Sequence, residues 1–528
     1  MAAEDTVGPR PACRPVQPNE RIETLDIVRG FALLCIFIVN WSVNTLWDVD
    51  RWGGFSGLVD QIAYWTNHLL LDNKSYPMFA FLFGLGFAIQ LQRAGTQGGR
   101  FAGRWIRRLA VLFAIGVAHD VLTERDTLWV YALFGVLLLL LQKLDTRALI
   151  VLALVWVLVP LVQGSMQLRV RVARLTDLAN AHTEVAVDSV VLDGYRGEYA
   201  FPTVPYTLFV FREGDALYRQ SPGYPGDADV PIRLFAESQT DFFSRSNPVT
   251  VSFVRDSQDN VTELILRQPL LGREIRGRPI RHGQPTMDDM ALRRASTQAE
   301  TSQTYMHGTF VDIVSMRAGM FWENLRSFGA GYQRWLGDMF ALFMLGLYAG
   351  RKRIFADVST HQAMIRRVMW WGLAFGLTGA TFESTFRAGI LFDPEQSIPL
   401  MASALIDVGD DLGSPMLGLA YVAGLTLLLQ RKEWRRRLAP LGAVGRTALT
   451  NYLLQSVVYV LLFFGYGLGW FGQVGAFEGT VLALSVFALQ ILTSQWWLRR
   501  FRFGPVEWLW RTITYAKLQP MRFARDAA

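Results

Sequence analysis

His119 is followed at once by Asp120 and, across a short turn, by Asp126. A histidine beside a carboxylate is the usual construction of a general base near neutral pH, because the carboxylate orients the ring and favours its protonated form. The competing reading is a histidine that caps the C-terminal end of a helix, where the dipole favours a cation. On the same helical repeat Arg104 and Arg108 share a stripe with Ile115 and His119, and Arg108 lies about 16 Å from His119 along the axis. One face of one helix would thus hold an anionic donor at one end and serve an acceptor at the other. Equally, Arg104, Arg107 and Arg108 serve as topology determinants at a membrane edge.

Two further stripes could contribute. In the apolar run from 25 to 46, Asp26, Arg29, Leu33, Asn40 and Asn44 fall close to one face. Either Asp26 and Arg29 snorkel as a pair while Asn40 bonds another helix, or they belong to a site, since ionisable groups inside membrane spans are functional candidates. Later, Thr447, Asn451 and Gln455 recur at helical spacing beside Tyr452, with Arg446 at the entrance. That stripe suits a substrate cavity or plain helix-helix hydrogen bonding. Gly84 and Gly86 suit close helix approach. His68 lies between the first two apolar runs and ranks below His119. His182, His282, His307 and His361 show no metal-ligand spacing, and no zinc-protease, nucleophile-elbow, phosphate-loop or dinucleotide motif stands in a fitting context, so no metal is expected. Glu383, Arg387 and Asp338 receive no role.

The elements that must position these residues are apolar. The chain has 528 residues, 51% of them hydrophobic, which is too apolar for an ordinary soluble protein. Runs near 25–46, 76–92, 105–122, 127–142, 147–165, 335–350, 366–390, 412–430, 446–468 and 476–497 predict a polytopic α-helical membrane protein with about ten transmembrane helices. The segment from Leu58 to Leu71 reads as an interfacial helix. Connections rich in Lys and Arg alternate with poor ones: Arg93, Arg100 and Arg104, then Lys143 and Arg147, Arg351 to Arg353, Arg431 to Arg437, and Arg499 with Arg500 stand on one side. The rule that positive loops stay in the cytoplasm then puts both termini there. The formal charge of +7 is spread over these short clusters, which argues against nucleic acid as a partner and for membrane lipids. Cys13 and Cys35 offer no disulfide framework, and no cleavable signal segment is evident.

The resulting organisation is a cytoplasmic tail (1–24), a first bundle of five spans (25–165), a large extracytoplasmic segment (166–330), a second bundle of five spans (331–498) and an interfacial cytoplasmic tail (499–528). Within the polar segment, YTLFVF, ALYRQ, IRLFAES, VTVSFVRD and VTELILRQ are short aromatic and β-branched runs between turn residues, which predict a small antiparallel sheet or barrel over about 185–282. Glu300 to Arg317 reads as an amphipathic helix, and Glu507 with Arg511 as a pair one turn apart.

LDIVRGFALL followed by IVN, LFGLGFAIQ, RRLAVLFAIGVAHDVL, GRTALTNYLLQS and RFGPVEWLWRTITY together resemble the motifs of the YeiB-type family of bacterial membrane proteins, along nearly the whole membrane part. That family is largely without assigned function. In its pattern the histidine and aspartate matching His119 and Asp126 recur as motif positions. More distantly, the first helix resembles that of the transmembrane acyltransferase superfamily, and His68 lies in the connection where the lysosomal acetyltransferase of that superfamily carries its active histidine. LDGYRGEYAF through VTELILRQ resembles the lipocalin-like β-domain of penicillin-binding-protein-like serine hydrolases, which implies a fold and no activity.

The distant resemblance of the first helix, together with this constellation of side chains, implies an acyltransferase that passes an acyl group, acetyl for example, from cytoplasmic acyl-CoA to a hydroxyl or amine of an envelope glycan or lipid, with His119 as general base or transient acyl carrier. His119 and Asp126 would be catalytic, Arg29, Arg104 and Arg108 would hold the donor, and Asp26, Asn40, Arg446, Asn451 and Gln455 would line the substrate path. Two alternatives stand beside it: a transporter or exporter of a small or lipidic molecule, and a noncatalytic envelope scaffold.

Overall fold

The computed structural model describes residues 22–42, 57–94, 98–123, 126–158, 183–201, 207–220, 231–245, 249–268, 273–281, 301, 303–331, 333–392 and 409–523. The chain is mostly helical, with an eight-stranded antiparallel barrel inserted in it. The apolar runs form α1 (Glu23–Ser42), α3 (Ser75–Ala94), α4 (Gly98–Thr123), α5 (Leu128–Leu141), α6 (Thr146–Leu158), α9 (Gln333–Arg351), α10 (Val358–Phe392), α11 (Ser414–Leu428), α13 (Ala448–Phe463) and α14 (Ala476–Leu498). Among the described residues, Glu23–Trp41 and Ala476–Leu498 are long and apolar enough to cross a membrane by length and composition. Several helices turn apolar side chains outward: Leu154, Val155 and Trp156 on α6, Trp370, Trp371 and Phe375 on α10, and Leu489, Leu492 and Trp496 on α14 are exposed.

Small residues set the closest helix contacts. At Gly84 on α3 and Gly346 on α9, an added Cβ would collide with the carbonyl oxygens of Phe343 and Phe81, so the two helices touch backbone to backbone. Gly30 on α1 and Gly445 at the end of α12 (Lys432–Arg446) do the same with Leu441 and Asp26. This second contact brings Asp26, Arg29 and Arg446 together. Gly86 departs from the expectation of close packing: its open side faces Arg29, with Nη2 at 3.9 Å from an ideal Cβ.

Several elements differ from the sequence expectation. Residues 432–446, read as a basic connection, form α12, because Val444 and Gly445 pack against α1 while the arginines of its first turns stay outside. α10 begins well before its apolar run, since Asp357 accepts from the Thr360 N–H and hydroxyl and so caps the first turn. α2 (Leu58–Leu70) buries Asn67 and His68, which an interfacial helix would leave at the edge. The helix expected over Glu300 to Arg317 breaks at Gly308, and Thr309 and Asp312 cap each other to start α8 (Phe310–Gly331).

A short helix, α7 (Ser189–Asp193), precedes the barrel. The barrel strands are β1 (Gly197–Ala200), β2 (Thr207–Glu213), β3 (Ala216–Gln220), β4 (Ile232–Ala236), β5 (Asp241–Phe243), β6 (Thr250–Arg255), β7 (Val261–Gln268) and β8 (Arg273–Arg281). Each pairs with the next and β8 closes on β1, so no edge is left open. Alternation places Leu208 and Val210, Val251 and Phe253, and Leu264 and Leu266 inside. Tyr195 and Phe253 stack at 4.1 Å in a filled interior.

Candidate functional site

A cavity of about 380 Å³ opens among α1, α3, α4, α5, α13 and α15 (Pro505–Tyr515). Five arginines line it, Arg29, Arg93, Arg108, Arg446 and Arg511, against two carboxylates, Asp26 and Glu507. Leu33, Phe79, Phe83, Trp105 and Trp510 supply an apolar and aromatic wall. The cationic excess is incompletely paired. Asp26 takes Arg29 at 3.1 Å. Glu507 turns to α13, accepting from the Thr450 N–H at 3.0 Å and from its hydroxyl, and forms no pair with Arg511 among the described contacts, contrary to their spacing. Burial raises Glu507 against those hydrogen bonds, and burial lowers Arg511, whose guanidinium lies over Phe503.

Arg108 is held by rings. Its guanidinium lies 4.0 Å over Trp510 and 5.7 Å from Trp105, and the Trp510 indole donates to the Arg108 carbonyl at 2.8 Å. Nη1 reaches only Gln90 Oε1, at 3.4 Å, while the buried Nε of Arg108 and that of Arg446 have no hydrogen-bond partner among the described residues. Buried donors left open on a cavity wall suit an anionic ligand with several acceptor oxygens.

Above the cavity stands the histidine cluster. α4 carries His119 on its last turn, and α5 starts just after Asp126, whose Oδ1 accepts the Leu128 N–H at 3.1 Å. Asp126 Oδ2 lies 3.2 Å from His119 Nδ1, at ion-pair distance but out of line for a hydrogen bond. The Tyr452 hydroxyl donates to Asp126 Oδ1 at 3.0 Å, and Tyr452 also lines the cavity, so it joins the two regions. The other histidine nitrogen, Nε2, lies 2.7 Å from Ser456 Oγ. Asp120, the immediate neighbour of His119, turns away to the Trp129 indole and the Asp126 N–H.

The structure therefore brings together His119 and Asp126, and separately Asp26, Arg29, Arg108 and Arg446. It leaves other candidates elsewhere. Arg104 and Asn40 do not line the cavity. Asn451 bonds Thr447 and Ser494, and Gln455 bonds Gln490 at 2.8 Å, so this stripe faces α14 and ties two helices. Asn44 lies outside the described residues. The sequence reading missed Ser456, Gln90 and Trp510. A signal existed for Ser456: it follows Tyr452 by one helical turn, on the face adjacent to the Asn451 stripe.

Residues 349–517 match the family model described as "Protein of unknown function (DUF418)". The chain is 25% identical to the uncharacterized protein YxaH of Bacillus subtilis (strain 168), across 96% of this chain and 98% of that one. It is 35% identical to the uncharacterized protein YeiB of Escherichia coli (strain K12) over 116 residues, 22% of this chain and 30% of that one. These matches support a YeiB-type family of unknown function. An uncharacterized 39.9 kDa protein in the amylase 3' region of Bacillus acidopullulyticus is 22% identical across 97% of this chain and 99% of its own length. No solved structure matches. None of these relatives carries an assigned chemistry in its name, and the site is read from its geometry.

Proposed function

We propose that the chain is a multi-pass membrane acyltransferase of the cytoplasmic membrane that transfers an acyl group from acyl-CoA to an acceptor on the far side. In this reading the ten apolar helices span the bilayer with both termini in the cytoplasm. The outward-facing Leu, Phe and Trp side chains support the reading, because such surfaces need lipid contact. The observation that carries the chemistry is the continuity of two features: an arginine cavity reaches Tyr452, and Tyr452 holds the aspartate beside His119.

The donor's phosphates would meet Arg108 and Arg446, its apolar arm would follow Phe83 and Trp105, and its thioester would end near Tyr452. His119 would act as general base, with Asp126 fixing its ring and favouring the imidazolium formed in the transition state. The barrel would serve the acceptor side.

The test is equilibrium binding of radiolabelled acetyl-CoA to the purified full chain in detergent. Saturable binding that Arg108→Ala weakens at least tenfold supports the reading. Well-folded protein that binds no acyl-CoA of any chain length overturns it and moves the assignment to transport.

A further inference from the structure

Three side chains from three separate elements meet in series above the cavity. Ser456 on α13 stands 2.7 Å from Nε2 of His119 on α4, and Asp126 at the start of α5 stands 3.2 Å from Nδ1. A hydroxyl, an imidazole and a carboxylate in that order form a relay in which the ring removes the hydroxyl proton and the carboxylate favours the resulting cation. We propose that Ser456 is the nucleophile of this protein, forming an acyl ester that His119 helps to make and to break, an assignment that rests on the acyl-donor reading above.

Three observations favour this over a structural contact. A serine inside a helix ordinarily rests its proton on the carbonyl four residues back, and that partner, the Tyr452 carbonyl, is present at 3.4 Å. The contact to His119 is shorter, and in the tautomer that carries its proton on Nδ1, facing Asp126, the hydroxyl donates to Nε2. The carboxylate is held in turn: the Tyr452 hydroxyl and the Leu128 N–H both occupy Oδ1, which leaves Oδ2 to the histidine. Finally, exposure is graded. Asp126 and His119 are buried, whereas Ser456 is half-buried, so the nucleophile is the member of the series within reach of a reacting group.

The step balances without any further reagent. Ser456 Oγ attacks the carbonyl carbon of an acyl thioester as its proton passes to His119 Nε2. The carbon–sulfur bond breaks, and the departing thiolate takes that proton as a free thiol. An acceptor hydroxyl then gives its proton to Nε2 and attacks the ester carbon, and the bond to Ser456 Oγ breaks as the serine recovers the proton. Tyr452, one turn from Ser456 on the same helix, marks where the cavity would deliver the thioester.

The experiment uses the purified full chain in detergent and two reagents. A small alkyl fluorophosphonate needs no acyl donor and reports an activated serine directly; radiolabelled acetyl-CoA reports the ester, located by peptide mapping. The expected result is phosphonylation and hydroxylamine-sensitive acetylation at Ser456, both absent in Ser456→Ala, with the phosphonylation rate about 100-fold lower in His119→Ala. Circular dichroism and the thermal midpoint establish that each variant is folded. Phosphonylation at Ser456 without acetylation upholds the nucleophile and overturns the donor. Saturable acetyl-CoA binding with neither modification at Ser456 overturns the nucleophile and keeps the donor, His119 then acting on the acceptor directly. Failure of both reagents and of binding overturns both assignments.

Discussion

His68 and His119 are both buried and both stand within ion-pair distance of a carboxylate, yet their surroundings assign them different work. His68 has a carboxylate on each ring nitrogen, Asp72 at 3.0 Å on Nδ1 and Glu383 at 3.1 Å on Nε2, and Tyr64 stacks along its face. Lys74 donates to its carbonyl, and the residue does not line the arginine cavity. Both ring nitrogens face an anion, which favours the imidazolium and ties α2 to α10. His119 has one carboxylate and two hydroxyls, Ser456 at 2.7 Å and Thr123 at 3.2 Å from Nε2, so its second nitrogen can exchange a proton with a group that can itself react. A buried histidine becomes a candidate catalyst through what its second nitrogen meets, and a neighbouring carboxylate alone does not decide the matter.

The comparison can be broken at either histidine. The largest stability effect is expected at His68. His68→Ala removes the imidazole that stands between the buried Glu383 and Asp72, and the cost is about 3–5 kcal/mol, read as a lowered thermal or denaturant midpoint in detergent. Donor binding per folded molecule should persist. A smaller effect follows from titration. Burial pulls His68 down, but the hydrogen bonds and charges of Asp72 and Glu383 more than reverse this and hold it above its ordinary 6.5. Its contribution to stability is therefore complete below that value and is lost as pH rises through the raised folded value. The thermal midpoint should fall across that window in the parent, and His68→Gln should flatten the fall.

Smaller still is the loss at Tyr452→Phe. This change removes one donor from Asp126 but leaves the Leu128 N–H, and should cost about 1 kcal/mol of stability while slowing transfer several-fold. The smallest effect is expected from the barrel. Replacing residues 183–281 by a short flexible linker should leave acetyl-CoA affinity within a few-fold of the parent, because none of the cavity lining comes from the barrel.

Much of the helical frame was legible, because each apolar run had the length and period of a helix and each became one. Where the reading erred, local charge misled it. The basic string from Arg431 to Arg437 looked like a connection, yet the glycine and valine that end α12 dock it on α1. Glu507 and Arg511 had helical pair spacing, but Thr450 offered Glu507 a backbone donor from another helix. The barrel was legible as short strands with turn residues, although its closure by β1 and β8 depends on pairing across the whole insert.

The candidate site divides in the same way. His119 and Asp126 are seven residues apart, so their meeting was readable from one turn of chain. Ser456 lies 337 residues from His119, and its contact exists only through the packing of α4 against α13. Asp120 illustrates the opposite error. Adjacency in sequence suggested a partner for His119, but successive side chains on a helix point apart, and Asp120 serves Trp129 instead.

The most direct measurement is acyl transfer by His119→Gln and His68→Gln, assayed side by side as free thiol released from acetyl-CoA per folded molecule. The account predicts that His119→Gln falls by about 10²–10⁴-fold with its thermal midpoint near that of the parent, while His68→Gln retains transfer and loses stability. Equal loss of transfer in both variants, or full transfer by His119→Gln, would contradict it.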